Sequence, residues 1–385
     1  MDDGHDNPEL QQLLVRHMLY TFIVAAMAVA VPLYLVDRDV DITWIGVILS
    51  VGPLSFMVIR ILLASMADEI GTKAISAIYS ASNLASFMLY LLVVSPLGFA
   101  VATLAEGARA SGFWAIARTE VFERLKGADP GTALARFSNM RQLADGLGRL
   151  AIGFLLAYLA FEGAFEFLLL LSLVLAGLIM WPRTKGGRTL SLGKHNLQRI
   201  SKQRPPTFWH AAILQLLVWL PYNMLIGFVI PIYLITSLKM GYAEVGLVLA
   251  LMSIATAAFA LLFMKMHLSK RTVLLLTLLS VPALALIPFG AHEALPLLAL
   301  VALGMGCGNI IGEYLLVDQV FRSKDVSTDI GVLYSPLKIA EFLFLSMGGL
   351  LVANFGFAPL FIVLSLSLLL FVAFGRAVIS AEPAG

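Results

Sequence analysis

Arg141, Asp145 and Arg149 follow one another at four-residue steps in a stretch otherwise rich in Leu, Ala and Gly. On a helix that spacing puts all three on one face, within about 80 degrees. Two uses follow for an acid between two bases. The carboxylate stays ionised and pins the helix as a structural network, or a guanidinium is left to hold an anionic solute. Glu106 and Arg109 stand one turn apart in a run of Ala, Leu and Gly. Desolvation there drives a carboxylate toward neutrality and frees or captures its Arg as it titrates, which is what a coupling step requires; the same two residues can also simply satisfy each other. Asn309 and Glu313 make a third polar site, with Asp318 toward the end of the same run. No Lys or Arg stands one turn from Glu313 on its own helix, which makes it the alternative proton site. Lys338 and Glu341 repeat the i, i+3 ion pair. Gln215, Trp219, Tyr222 and Asn223 crowd around Pro221, and a proline within a helix permits a bend and frees a carbonyl. Trp219 and Tyr222 either stack on an organic solute or pack as core.

The elements that must position these groups are set by composition. Charged residues are 13% of the 385, against roughly 25% in soluble domains, while AVILMFWYC residues are 60% and the mean hydropathy is +0.91. A soluble fold of this length cannot hide so much apolar surface, so the solvent is lipid. A charge at the centre of a spanning helix costs roughly 2.5–3.5 kcal/mol on insertion scales, so Arg141, Asp145 and Arg149 must face protein or water. The one cysteine, Cys307, excludes a disulfide framework and a Cys-based metal cluster. Met1 to Glu9 is acidic rather than basic, so the first apolar run reads as a membrane helix rather than a cleavable leader.

A crossing needs about 20 apolar residues. Runs of that length predict helices over 12–36, 42–67, 73–95, 97–123, 132–160 and 163–181, then over 207–237, 241–266, 271–290, 294–321, 328–354 and 357–379. The expected class is an all-α membrane protein with twelve crossings in two six-helix bundles, 1–181 and 207–385, joined by a basic linker, 182–206. That linker holds Arg183, Lys185, Arg188, Lys194, Arg199, Lys202 and Arg204 with no Asp or Glu. By the positive-inside rule it is cytoplasmic, and both termini with it. Part of it reads equally as a surface helix on anionic headgroups or as a solvated tether.

The chain also repeats itself. Val31-Pro32-Leu33-Tyr34-Leu35-Val36 returns as Ile230-Pro231-Ile232-Tyr233-Leu234-Ile235, and the following Trp44-Ile45-Gly46-Val47-Ile48-Leu49 as Glu244-Val245-Gly246-Leu247-Val248-Leu249. Val121-Phe122 matches Val320-Phe321, and Gly153-Phe154-Leu155-Leu156 matches Gly348-Gly349-Leu350-Leu351. Such a repeat predicts similar membrane bundles joined in tandem, able to rock about a site between them.

With the two six-helix halves and the basic linker, three further features resemble the major facilitator superfamily. After helix 2 that family carries G-x-x-x-D-[RK]-x-G-[RK]-[RK]; here Ala64-Ser65-Met66-Ala67-Asp68-Glu69-Ile70-Gly71-Thr72-Lys73 matches at Asp68, Gly71 and Lys73 and departs at Ala64, Glu69 and Thr72. The resemblance implies a latch on the linker side, to which Asp318 is added; a plain polar turn is the alternative. Arg109-Ala110-Ser111-Gly112 fits loosely the Arg-then-Gly pattern of the family's helix 4. The glycines at 146, 148 and 153 resemble the helix 5 run of its proton antiporters, with Arg149 where proline is expected. In the resembled fold helices 1, 4, 7 and 10 line the central path, which would place Glu106, Arg109, Trp219, Tyr222, Asn223, Asn309 and Glu313 beside the solute and leave Arg141, Asp145, Arg149, Lys338 and Glu341 as an ion-pair network.

The expected function is secondary active transport of a small organic solute by alternating access, coupled to protons, in the cell membrane. A proton-driven drug efflux carrier, a uniporter and a non-transporting sensor built on the same bundle are the alternatives. The chain lacks Gly-x-x-x-x-Gly-Lys-Ser/Thr, a nucleophile motif and His-x-x-x-His spacing, so no enzyme activity, cofactor or metal is expected. Expected partners are the solute, protons and the bilayer, with no nucleic acid and no second copy.

Overall fold

The computed structural model describes residues 8–70, 72–124, 130–180, 200, 202–266, 268–290, 294–320, 323 and 325–380. The side chains at 8–10, 64–70, 72–74, 76, 115–124, 130–139, 180 and 379–380 lie outside the description. Eleven helices account for nearly all of the described residues: α1 (Pro8–Asp37), α2 (Ile42–Ile70), α3 (Thr72–Leu92), α4 (Pro96–Arg124), α5 (Pro130–Met180), α6 (Pro206–Thr236), α7 (Tyr242–Lys265), α8 (Lys270–Phe289), α9 (Ala294–Val320), α10 (Val326–Phe355) and α11 (Ala358–Ser380). Nine stretches among the described residues are long and apolar enough to cross a membrane. Helix α5 covers the two runs expected at 132–160 and 163–181 as one 51-residue element that bends at Ala160, whose φ of 56° leaves the helical region.

Helix starts follow local chemistry. Proline opens α4 and α6, where its missing N–H would have no intrahelical partner. The Ser95 hydroxyl accepts from the Gly98 N–H at 3.2 Å, and Glu244 accepts from the Gly241 N–H at 2.8 Å to cap α7. Before α2 the Asp41 carboxylate accepts from the Thr43 N–H at 2.8 Å, and bonding to Thr43 holds that exposed carboxyl below the usual carboxylate range.

Helix α6 runs unbroken through Pro221 and distorts one turn later, in a π turn at Leu225–Val229. Pro221 has no N–H to give to the Leu217 carbonyl one turn back, and the Ser367 hydroxyl of α11 bonds that carbonyl instead at 2.9 Å. The freed backbone group is thereby satisfied inside the protein, as a lipid-embedded helix requires.

The repeat in sequence is also a repeat in contacts. Asp39 and Lys239, 200 positions apart, both take left-handed φ values, 54° and 55°, just after α1 and α6. Tyr34 packs on Phe161 and Phe165 at ring-centroid distances of 5.1 and 5.2 Å; Tyr233 packs on Phe357 and Phe361, both at 5.4 Å.

Helices α1–α5 pack among themselves, as do α6–α11, and the two sets meet chiefly where α5 lies on α7 and α2 on α10. Glycine makes both contacts possible. A Cβ on Gly153 would stand 2.7 Å from the Gly246 Cα, and one on Gly349 would stand 2.3 Å from the Ile42 carbonyl and 2.9 Å from the Thr43 Cα beside Gly46. Backbones this close exclude any larger residue. Both contacts lie toward the end bearing the α1–α2 turn, where the Tyr242 hydroxyl also donates to Asp37 at 3.1 Å.

Candidate functional site

Helix α4 lies between α2 and α3, and small residues let it sit deep. Gly107 faces the Gly52 carbonyl and Ser55, whose hydroxyl bonds the Leu104 carbonyl at 2.9 Å, while Ser111 reaches the Phe56 carbonyl at the same distance. This packing buries Arg109 to 1% exposure. Its Nη2 donates to Glu106 at 2.9 Å, and the other Glu106 oxygen accepts from the Tyr90 hydroxyl at 3.2 Å. Tyr90 also meets the Thr103 hydroxyl at 3.1 Å. The expected i, i+3 pair is therefore formed and extended by two residues, Tyr90 and Thr103, that sequence reasoning did not single out. A signal for Tyr90 existed: Tyr79, Asn83, Ser86 and Tyr90 recur at helical spacing through an apolar run, and all four are buried.

The helix 5 triplet divides. Asp145 takes both Nε and Nη2 of Arg149, at 2.7 and 2.8 Å, and Arg149 is 3% exposed. Such a two-point contact is the strong form of a charged hydrogen bond. The Arg141 guanidinium lies over the Trp114 ring at 4.7 Å. Tyr222 of α6 donates to Gln142 of α5 at 3.3 Å and lies within electrostatic reach of Asp145 and Arg149, so α6 reads this pair directly.

The next residue on α6 reads another pair. Asn223 donates to Glu341 of α10, whose second oxygen accepts from Lys338 at 2.7 Å; Lys338 in turn stands over Phe56 of α2 at 5.0 Å. The Lys338–Glu341 pair thus sits where helices from both ends of the chain meet. Asp145 and Glu341, 196 positions apart like Gly153 and Gly349, are both acids held by a base on their own helix.

Trp219 stands edge-on to Tyr222 at 5.5 Å. Gln215, fully buried, donates to the Gly312 carbonyl of α9 at 2.6 Å. On the same helix Asn309 and Glu313 are half-buried, one turn apart. Asp318 is exposed and accepts from Gln319 at 2.7 Å. Of its three expected latch partners, Gly71 lies outside the described residues, and the side chains of Asp68 and Lys73 lie outside the description. On that side a different lock is formed, unforeseen in the sequence: Arg204, at the end of the linker, bonds Asp329 of α10 at 2.8 Å, with both side chains under 10% exposed, and Ser323 donates to the other Asp329 oxygen.

A sequence profile of the Major Facilitator Superfamily matches residues 13–310, from α1 into α9. The chain belongs to the Major Facilitator Superfamily. No curated protein compared with it matches. A multi-pass facilitator-superfamily protein is a membrane transporter, which assigns it a small-molecule substrate and a lipid bilayer as surroundings.

Proposed function

We propose that this facilitator-superfamily chain is a secondary active transporter that moves a small organic anion by alternating access and couples it to protons. In this reading twelve crossings form two bundles, 1–181 and 207–385, related by a pseudo-twofold axis, with the linker 182–206 and both termini on the cytoplasmic side of the cell membrane. The paired contacts Gly153–Gly246 and Gly46–Gly349 support such an axis, because Gly46 corresponds to Gly246 in the repeat and Gly349 stands next to Gly348, the residue that matches Gly153. They also fit a state closed at the end away from the linker.

The observation that carries the anion and proton assignments is the Glu106–Arg109 pair. Arg109 is buried, and its Nε and Nη1 have no hydrogen-bond partner among the described residues. A guanidinium held by one carboxylate through one nitrogen keeps donors for a second anion. Protonation of Glu106 removes the competing charge and changes how tightly Arg109 holds that anion, which links proton binding to solute binding. Trp219, Tyr222, Asn223, Asn309 and Glu313 would line the other side of the path, and Arg149 would add a second positive charge behind Tyr222.

Uptake of a labelled panel of organic acids and organic cations into proteoliposomes, with and without a pH gradient, tests this reading. Glu106→Gln is expected to abolish gradient-driven accumulation and to preserve equilibrium exchange. Unchanged pH-driven accumulation would remove Glu106 from the coupling role, and uptake restricted to cationic compounds would replace the organic-anion reading with drug efflux.

A further inference from the structure

The interior of the first five helices contains a concentration of polar atoms that its own contacts do not use. Tyr20 of α1 and Tyr79 of α3 are 2% and 1% exposed, and neither hydroxyl has a hydrogen-bond partner among the described residues. The same is true of both amide atoms of Asn83, which is fully buried, and of Nε and Nη1 of Arg109. These groups converge. The Tyr20 and Tyr79 rings are 5.9 Å apart, and both pack on Phe113 of α4. Tyr79 lies against Gly112, and Tyr90 meets Thr103. That antiparallel register sets Asn83, one turn from Tyr79, level with Arg109, one turn from Gly112.

Donors predominate in this cluster: two phenols, two guanidinium nitrogens and an amide nitrogen face one atom, the Asn83 Oδ1, that can only accept. Charge has the same bias. The ionic groups within electrostatic reach of the Tyr20 hydroxyl include Arg109, Arg141 and Arg60 on the positive side and Glu106 on the negative. Buried donors beside a guanidinium are complementary to an anion.

We propose that Tyr20, Tyr79, Asn83 and Arg109 form a binding site for a small anionic group, the carboxylate of the transported solute or a free inorganic anion. The site rests on the anionic-solute reading above and adds Tyr20, Tyr79 and Asn83 to it. It places the charged end of the solute between α1, α3 and α4, away from the α6 aromatics.

The test uses the purified full-length protein in detergent, with sodium acetate, lactate, benzoate and chloride as probes. A saturable rise in melting temperature is expected with at least one of them. Tyr79→Phe deletes only an unbonded hydroxyl, so it is expected to leave the ligand-free melting temperature equal or higher while weakening the probe at least tenfold; Tyr20→Phe is expected to do the same and serves if the first variant does not fold. In proteoliposomes the loss should fall on KM more than on kcat. A response to carboxylates identifies the solute's own headgroup as the ligand. A response to chloride alone identifies a free ion and separates this site from the solute. Absence of any anion response in the wild type, or equal affinity in both Phe variants, overturns the site. Where the wild type responds to carboxylates, an organic anion still transported with unchanged KM by Tyr79→Phe would overturn the site while leaving the transport reading intact.

Discussion

Asp145→Asn isolates what holds α5 together inside the protein. Asp145 and Arg149 have side-chain exposures of 13% and 4%, so neither charge has water to fall back on. Asparagine keeps one acceptor oxygen and can retain one of the two bonds to Arg149; the other, and the countercharge, are lost. A charged hydrogen bond is worth about 1.5–3 kcal/mol, and breaking a buried pair costs about 3–5 kcal/mol because a charge is left uncompensated. With one bond surviving, the lower end applies: roughly 3 kcal/mol, or about a hundredfold shift in the folded-to-unfolded ratio. The assay is an equilibrium unfolding titration in mixed micelles, alongside monodisperse yield. The discriminating measurement is the double variant Asp145→Asn/Arg149→Gln. Removing both charges eliminates the stranded guanidinium, so stability should return to within about 1 kcal/mol of wild type. A single variant as stable as wild type, or a double variant no better than the single, would refute the claim that charge pairing is what Asp145 supplies. If the double variant recovers stability and still fails to transport, Arg149 acts on the solute as well.

Three other outcomes follow from named contacts. Gly349→Ala and Gly153→Ala each put a methyl within 3 Å of backbone across the α2–α10 and α5–α7 contacts, so both should slow transport about tenfold or more at normal folded yield, and to similar extents; wild-type rates in either would show that this closure is not part of the cycle. Ser367→Ala should cost about 1 kcal/mol in the same unfolding titration by stranding the Leu217 carbonyl, and the cost should vanish in a Pro221→Ala background, where residue 221 regains the N–H that bonds it; an equal cost in both backgrounds would show that Ser367 does something else. Asp329→Asn should loosen the linker from α10, read as faster limited proteolysis between residues 182 and 206 with the rest of the chain protected; unchanged cleavage would mean that the linker is held by its other tie, Lys202 to Asp325 at the start of α10.

Much of this was readable before any coordinates because it is local. Helix positions came from runs of apolar residues, and the observed boundaries fall within a few residues of the expected ones. The pairs Glu106–Arg109, Asp145–Arg149 and Lys338–Glu341 came from i, i+3 and i, i+4 spacing, which a helix turns directly into proximity. Arg141 shows the limit of that logic. Its spacing to Asp145 equals that of Arg149, yet its guanidinium lies over Trp114 on another helix. Helical spacing says which side chains share a face, not which neighbour from outside competes for one of them.

What could not be read is every contact that depends on how two helices are offset along their lengths. Nothing in the sequence near Tyr222 and Asn223 indicates that consecutive residues bond α5 and α10, since they leave α6 about 100 degrees apart and their partners, Gln142 and Glu341, are set by packing. Gly153 and Gly246 were visible only as members of a repeat; their meeting requires the two repeats to face each other. The polar stripe on α3 is the instructive middle case. Its periodicity identifies a buried face, because an all-apolar helix in lipid has no reason to carry Tyr79, Asn83, Ser86 and Tyr90 in line. Which of those groups find partners is decided by α4, where Glu106 and Thr103 engage Tyr90, while the Tyr79 hydroxyl, within electrostatic reach of Arg109, and the Asn83 amide one turn along find none among the described residues. The stripe was therefore a statement about the fold in sequence and becomes a statement about binding only once α4 is laid against it.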